Sequence, residues 1–352
     1  MNTSESDMEQ NVFAIDIGYS NLKVAFGDSA IPRVLVLPAG AGLAENFSEQ
    51  VSSTAVNNSE GGEFITVDGK NFIAGIDQNH IRVKRHRNPN YTMTKEWMAL
   101  YFTGLIKTEA TEIGLAITGL PAEQSRDVKL CERVAARMRG KHQVKPDRVV
   151  TVHDAVVVAQ PVGAYVDAGF QAASESIRQI IRDGRVLSLD IGYYSVDWGL
   201  FDGSRSIKAV SGSNNSAMSA VIETVIRKIE QQHDDKITPE RVEQSLRSAR
   251  HTILFHGHEL DLTPYLQEAL VAVNEDTATD LLNAKNLDRE QIDLVVLAGG
   301  GAEHYRSAAE RAFPGSPIVI SPRPVAANVR GYWYLQRAQY LASTARTALR
   351  QP

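Results

Sequence analysis

Cysteine is almost absent: Cys131 is the single one in 352 residues. No internal disulfide can form, and Val128 to Met138 around it has helical character, so the thiol reads as a packed side chain rather than a reactive one. No apolar run approaches the roughly 18–20 residues of a membrane-spanning helix. The start, Met1 to Gln10, is polar and acidic, without the basic and then apolar pattern of a secretory signal. A cytoplasmic protein is expected, in which the sequons at Asn46 and Asn57 are chance matches. Excess basic charge is lacking as well, with 37 Lys and Arg against 42 Asp and Glu and a net charge of −5. This excludes a generally nucleic-acid-binding surface. Lys84-Arg85-His86-Arg87 is the densest basic run and reads as a solvated loop. What remains is ordinary for a globular protein, 43% hydrophobic and 22% charged, and the length suggests two domains.

Along the chain, Val12 to Ile17 and Leu22 to Phe26 read as buried strands joined by a turn-forming Gly-Tyr-Ser-Asn. Val34 to Leu37 and Phe64 to Val67 are further strands. Asp68-Gly69 predicts a hairpin between Phe64 to Val67 and Phe72 to Ala74. Gly40 to Gly62, rich in Gly, Ser and Asn, includes a mobile loop. Helices are expected over 94–109, Glu123 to Arg139, Val162 to Arg182, Ala217 to Gln232, Glu240 to Ala249 and Leu262 to Ala284. Strands are expected at Ile113 to Thr118, in the Val-rich Arg148 to Ala159, in the pair within Val186 to Phe201, and at Ile292 to Ala298. Apolar strands separated by helices imply an α/β sheet covered on both faces.

One feature stands out from this background. Asp16-Ile17-Gly18-Tyr19 returns as Asp190-Ile191-Gly192-Tyr193, each at the junction of two apolar runs. Aligned without gaps, Ser20 falls on Tyr194, Asn21 on Ser195, Leu22 on Val196 and Lys23 on Asp197. Such a match suggests two related domains facing each other. An Asp at a strand end followed by Gly sets a carboxylate beside backbone N–H groups. The N–H groups can cradle phosphate oxygens, Gly permits close approach, and the carboxylate can hold Mg²⁺ through waters. A lone Asp-x-Gly is usually just a turn. Two aligned copies, with Gly299-Gly300-Gly301 after a third apolar strand, point to two turns clamping one metal-bound nucleotide.

The residues Asp16-Ile-Gly-Tyr-Ser-Asn-Leu-Lys and Asp190-Ile-Gly-Tyr-Tyr-Ser-Val-Asp resemble the two phosphate loops of the actin, sugar kinase and heat-shock chaperone superfamily. Leu297-Ala-Gly-Gly-Gly-Ala resembles its adenosine motif, and Ala326-Ala-Asn-Val-Arg-Gly-Tyr the segment returning to the first domain. Within it, Ile117-Thr-Gly-Leu-Pro and Val158-Ala-Gln-Pro are similar to the bacterial actin-like plasmid-segregation ATPases of the ParM/StbA type. The resemblance implies an actin-like (ribonuclease H-like) α/β fold of duplicated domains with a nucleotide cleft between them. Its expected parts are a disordered tail over 1–11, domain I over 12–165 with an insertion at about 30–110 and a closing helix at 326–352, and domain II over 166–325.

The resemblance also implies roles. Asp16 and Asp190 would hold Mg²⁺ and its waters. Gly18, Tyr19, Ser20 and Asn21, and Gly192, Tyr193, Tyr194 and Ser195, would bond phosphate oxygens of ATP or GTP through backbone and hydroxyl groups. Lys23 would reach the phosphates or pair with Asp197, which would orient an outer water or brace the domain interface. Gln160 falls where the family orients the attacking water. Glutamine positions water without accepting its proton, so hydrolysis is expected to be slow. Asp154 is the fallback acid. Gly299, Gly300 and Gly301 would approach the α-phosphate and ribose, and Glu223 or Arg227 would flank the nucleoside. The expected function is an ATPase that polymerises with itself for plasmid segregation, through a DNA-bound adaptor and without direct nucleic-acid or membrane contact. The alternatives are a sugar or acid kinase-type phosphotransferase and a membrane-associated nucleotide-binding scaffold. Leu335, Ala338, Ala342, Ala345 and Leu349 form a terminal helical stripe, mostly Ala, which favours packing on its own domain over membrane anchoring.

Overall fold

The computed structural model describes residues 11–47, 62–81, 88–215, 217–248, 250–283, 287 and 290–348. The tail, the basic run at 84–87 and Leu349 lie outside them. The chain divides into two compact units, Met1–Ala173 with Ser321–Pro352, and Ser174–Ile320.

The first unit contains strands β1 (Val12–Ile17), β2 (Asn21–Phe26), β3 (Arg33–Pro38), β4 (Gly40–Leu43), β5 (Glu63–Val67) and β6 (Lys70–Ile76). Helix α1 (Lys95–Thr108), β7 (Glu112–Leu120), α2 (Val128–Met138), β8 (Gly140–Lys145), β9 (Arg148–Ala159) and α3 (Gln160–Gln171) follow. A main sheet runs in the order β3-β2-β1-β7-β9-β8, and a small one in the order β4-β6-β5. Alternation along β1 explains how both faces of the main sheet are covered. Phe13, Ile15 and Ile17 join a core with Trp97, Leu100, Tyr101 and Leu105 of α1. Val12 and Ala14 turn to the other face, where they pack with Val329, Tyr332 and Trp333. Each fully buried large side chain here is worth about 1.5–3 kcal/mol. Thr94 starts α1 by accepting the Trp97 N–H at 3.2 Å, and Glu109 ends it in the left-handed region at φ 61°.

The second unit contains α4 (Glu175–Asp183), β10 (Arg185–Ile191), β11 (Val196–Asp202), β12 (Arg205–Ser206), β13 (Gly212–Asn214), α5 (Met218–His233) and α6 (Pro239–Arg247). It continues with β14 (Thr252–Phe255), β15 (His258–Asp261), α7 (Thr263–Asn283), β16 (Leu294–Ala298), α8 (Arg306–Ala312) and β17 (Ile318–Ile320). Its sheet runs β12-β11-β10-β16-β17, with β13 also on β11, beside a separate β14-β15 hairpin. Helix α9 (Ala327–Ala348) returns to the first unit and packs on α3, β1 and β7.

The duplication read from the sequence is visible in topology and register. In each unit an antiparallel hairpin is followed by a strand laid parallel to its first arm: β7 on β1 and β16 on β10. Asp16 faces Lys23 across the first hairpin and Asp190 faces Asp197 across the second, the pairing of the gap-free alignment. The Asp68-Gly69 turn also forms, with φ 47° and 74°.

Several expectations need correction. Within Gly40 to Gly62, strand β4 and a short 3₁₀ turn at Ala44–Asn46 were not expected, and 48–61 lies outside the described residues. The helix expected over Glu123 to Arg139 splits into a short 3₁₀ turn and α2, because Asp127 caps a new start by accepting the Leu130 N–H at 3.1 Å. The single helix expected over Val162 to Arg182 is two, with Ser174 capping the second through the Ile177 N–H at 3.3 Å. Strands β8, β12, β13, β14, β15 and β17 were not expected from the sequence.

Two contacts bind α3 to α9 within the first unit. Gly163 and Gly331 let the helix backbones meet, since a Cβ at Gly331 would overlap the Gly163 carbonyl. Four residues on, Asp167 receives a bidentate pair from Arg330, Nε to Oδ1 at 2.8 Å and Nη2 to Oδ2 at 2.6 Å, with the Ser321 hydroxyl on the same carboxylate.

Acid should loosen both units. Burial lowers the His142 pKa, while its bond to the Met138 carbonyl opposes the shift. Burial and His251 lower that of His304. The unfolded chain therefore binds more protons than the folded one below the ordinary imidazole pKa of about 6.5. Stability contributed by these neutral rings is present above that pH and is lost as pH falls through it. Urea midpoints followed by circular dichroism should be lower at pH 5 than at pH 7, and the difference should shrink in His142→Phe.

Candidate functional site

The turn of the first hairpin is closed by Gly18 N–H donating to the Asn21 carbonyl at 3.0 Å. The Ser20 carbonyl accepts from Ala39 N–H at 3.0 Å, and the Asn21 amide donates to the Ser20 hydroxyl at 3.3 Å. Asp16 closes β1 at 3% exposure. Its carboxylate takes Lys23 Nζ on one oxygen at 3.0 Å and the Gln160 amide on the other at 3.4 Å. Gln160 reaches it because β1, β7 and β9 run parallel and α3 starts directly after β9. These are the carboxyl ends of parallel strands, where open α/β sheets bind ligands.

The turn of the second hairpin repeats the closure, Gly192 N–H to the Ser195 carbonyl at 2.9 Å. Asp190 closes β10 and is 8% exposed. The Gly192 and Tyr193 carbonyls accept the first amides of α5, from Met218 at 3.4 Å and Ser219 at 2.7 Å, so this turn is seated on a helix N-terminus. The Tyr193 and Tyr194 rings meet edge to face with centroids 4.7 Å apart. The three glycines are not equivalent. Gly299 has φ +86° and packs so tightly that a Cβ would strike the Ile191 carbonyl and Asp190 Oδ1. Gly301 donates to the Ile191 carbonyl at 3.1 Å, whereas Gly300 faces open space.

The structure revises three side-chain expectations. Lys23 pairs with its cross-strand neighbour Asp16, while Asp197 is held within its own unit by the Ser195 hydroxyl at 2.6 Å and the Ser213 hydroxyl. The Tyr19 hydroxyl donates to the Asn88 carbonyl and accepts its N–H, so it is turned away from phosphate binding. Asp154 pairs with Arg139 at 3.2 Å. Asp154 sits in the same strand row as Leu115 and Val12, four residues or about 13 Å along β1 from Asp16 at the usual strand rise. It is removed as the fallback acid. Glu223 and Arg227 lie exposed on α5, Arg227 with Thr224 at 3.4 Å. The roles of Ser213, Asn88 and Gly119 were missed. For Gly119, whose Cβ would strike Tyr332 and Gln160, the signal was the glycine at the end of an apolar strand.

Each turn sets one buried carboxylate, Asp16 or Asp190, beside backbone amides, a donor of the kind magnesium takes. No cluster of three or more His, Cys, Asp or Glu side chains occurs among the described residues. A single carboxylate suits a cation that keeps most of its waters. No helix among the described residues is long and apolar enough to cross a membrane.

Comparison with known proteins places this geometry. Residues 14–163 match the family described as actin like proteins N terminal domain, and residues 188–310 the archaeal actin homologue MreB-like C-terminal family. No curated protein matches the sequence. Among solved structures, an archaeal actin homologue shares 18% identity at TM-score 0.72 over 94% of this chain and 99% of its own. The actin-like protein Alp7A shares 16% identity at 0.70 over 97% and 99%. The subunit of a 15-stranded ParM filament from Clostridium botulinum shares 16% identity at 0.71 over 94% and 99%. Each of the two repeated units thus matches an actin-like family model, and the chain has the actin-like fold.

Proposed function

We propose that this chain binds one magnesium-complexed ATP or GTP between its two repeated turns, hydrolyses it slowly and polymerises into filaments for plasmid DNA segregation. The observation that carries the reading is the same hairpin turn built twice, each beside a buried strand-end carboxylate at the same register. The fold shared with an archaeal homologue whose complex with ADP is solved, and with a ParM filament subunit, supports nucleotide use and self-assembly.

Each residue then has a task. Asp16 and Asp190 hold the water shell of Mg²⁺, which neutralises phosphate charge when bound. The backbone of Gly18 to Asn21 and of Gly192 to Ser195 cradles phosphate oxygens, with Lys23 adding charge. Gly299 to Gly301 admit the α-phosphate and ribose. Gln160, whose amide donates to the Asp16 carboxylate at 3.4 Å, orients the attacking water, and its amide cannot accept the proton. Rate comes from positioning, so turnover is slow. A DNA-bound adaptor would link the filament to its cargo.

Calorimetry and sedimentation test this on the full chain. Mg-ATP or Mg-GTP should bind, chelation of magnesium should weaken binding sharply, and protein should pellet with the triphosphate more than without it. The reading fails if no purine nucleotide binds. Binding without pelleting, together with ADP release stimulated by one sugar or acid, would favour a phosphotransferase instead.

A further inference from the structure

We infer that Tyr332 on α9 is a positioning residue for Gln160, a buried wedge that limits where the Gln160 carboxamide can point. Its ring lies in a slot that two glycines leave open. At Gly163, on the first turn of α3, an added Cβ would come within 2.5 Å of Tyr332 Cε1. At Gly119, near the end of β7, a Cβ would come within 2.0 Å of the Tyr332 hydroxyl and 2.6 Å of Cζ. That same point at Gly119 lies 3.0 Å from Gln160 Cγ. The hydroxyl end of the ring and the stem of Gln160 therefore flank one missing side chain.

The wedge is fixed and the glutamine is not. Tyr332 is fully buried and belongs to the core of Ala14, Ile117 and Trp333. Its backbone is pinned on the preceding side, where a Cβ at Gly331 would lie 1.8 Å from the Gly163 carbonyl and Arg330 grips Asp167. Gln160 is only half-buried, and one long bond of 3.4 Å to Asp16 holds its amide. Several staggered rotamers of its stem would satisfy that bond. A fixed hydroxyl beside Cγ closes some of them before any ligand arrives. An apolar ring would fill the slot without the cost of burying a hydroxyl. Yet the hydroxyl is the Tyr332 atom that comes nearest the Gly119 point. A misplacement of about 1 Å in a group that orients a reactant lowers rate by up to about 100-fold, so this constraint bears on turnover.

The inference rests on the reading of Gln160 as the residue that orients water, and its test separates the two. In the nucleotide-free protein, the Gln160 side-chain amide is followed by heteronuclear NMR and assigned by its loss in Gln160→Ala. Tyr332→Phe keeps the ring and removes the hydroxyl, so this signal should move or broaden. An unmoved signal overturns the inference whether or not nucleotide is hydrolysed. With Mg-ATP or Mg-GTP, whichever binds, phosphate release should show kcat lowered about three- to tenfold in Tyr332→Phe and about 10–100-fold in Tyr332→Leu, with calorimetric Kd within about twofold of wild type. In a Gln160→Ala background neither substitution should lower kcat further, because Tyr332 acts through Gln160. The same loss in that background, or wild-type kcat in the Tyr332 variants, overturns the inference. Should Tyr332→Leu not fold, Tyr332→Phe carries the comparison. Wild-type turnover in Gln160→Ala overturns the reading of Gln160, and the amide signal then decides the contact alone.

Discussion

Arg330→Met is expected to cost about 3–5 kcal/mol of folding stability, the usual penalty for stranding one partner of a buried ion pair. Asp167 is fully buried and Arg330 nearly so, and the guanidinium also bonds the Pro322 carbonyl. In the wild type, burial pushes the Asp167 carboxyl up while Arg330 and Ser321 pull it down, and burial prevails. Methionine removes the Arg330 pull and raises it further. The folded mutant then keeps its proton at pH values where the unfolded chain has lost it, so the penalty grows as pH rises above about 4. Urea titrations should show a larger loss at pH 8 than at pH 5. Arg330→Met with Asp167→Leu should recover part of it, because an apolar pair leaves no buried charge. A loss under about 1 kcal/mol for the single variant would show that the pair contributes little.

Asp190→Asn should weaken magnesium-dependent nucleotide binding by about 10–100-fold, the range for groups that act on a metal through bound water. Asparagine keeps the shape and removes the charge. Asp16→Asn should fall in the same range with an added signature, since it leaves Lys23 without its carboxylate in a largely buried position. Its nucleotide-free stability should drop, whereas that of Asp190→Asn should drop less. Calorimetry with and without magnesium, paired with thermal unfolding, reads both effects. Wild-type affinity in Asp190→Asn would remove that carboxylate from the metal site.

Much of this was legible in the sequence, and the parts that were not have common causes. The hairpins were readable because apolar strands of fixed length flank short polar turns. Their register followed from the gap-free repeat, but the Asp16–Lys23 pair did not: Lys23 was expected on the phosphates or on Asp197, and the cross-strand position sets it on Asp16 instead. Strand β8 reads Gly-Lys-His-Gln-Val-Lys, too polar to signal burial, and it forms because it pairs with β9. The β14–β15 hairpin turns on His256-Gly257, both at positive φ, but histidine is a weaker turn signal than the Asp of Asp68-Gly69. The break between α3 and α4 was marked by Ser174 before Glu175, a helix-start pattern hidden within a longer apolar periodicity. Tyr19 and Arg330 were out of reach for another reason. Their partners lie far away in sequence, and only the folded chain sets them together.

The second unit is one unbroken stretch of chain, whereas the first depends on α9, which follows the whole second unit in the chain. During synthesis at the ribosome, β1 and β2 emerge early yet one face of their sheet stays uncovered until Val329, Tyr332 and Trp333 have left the exit tunnel. The usual vectorial order, in which the earliest segment finishes first, is therefore inverted. The later-made half can close while the earlier half still waits for α9.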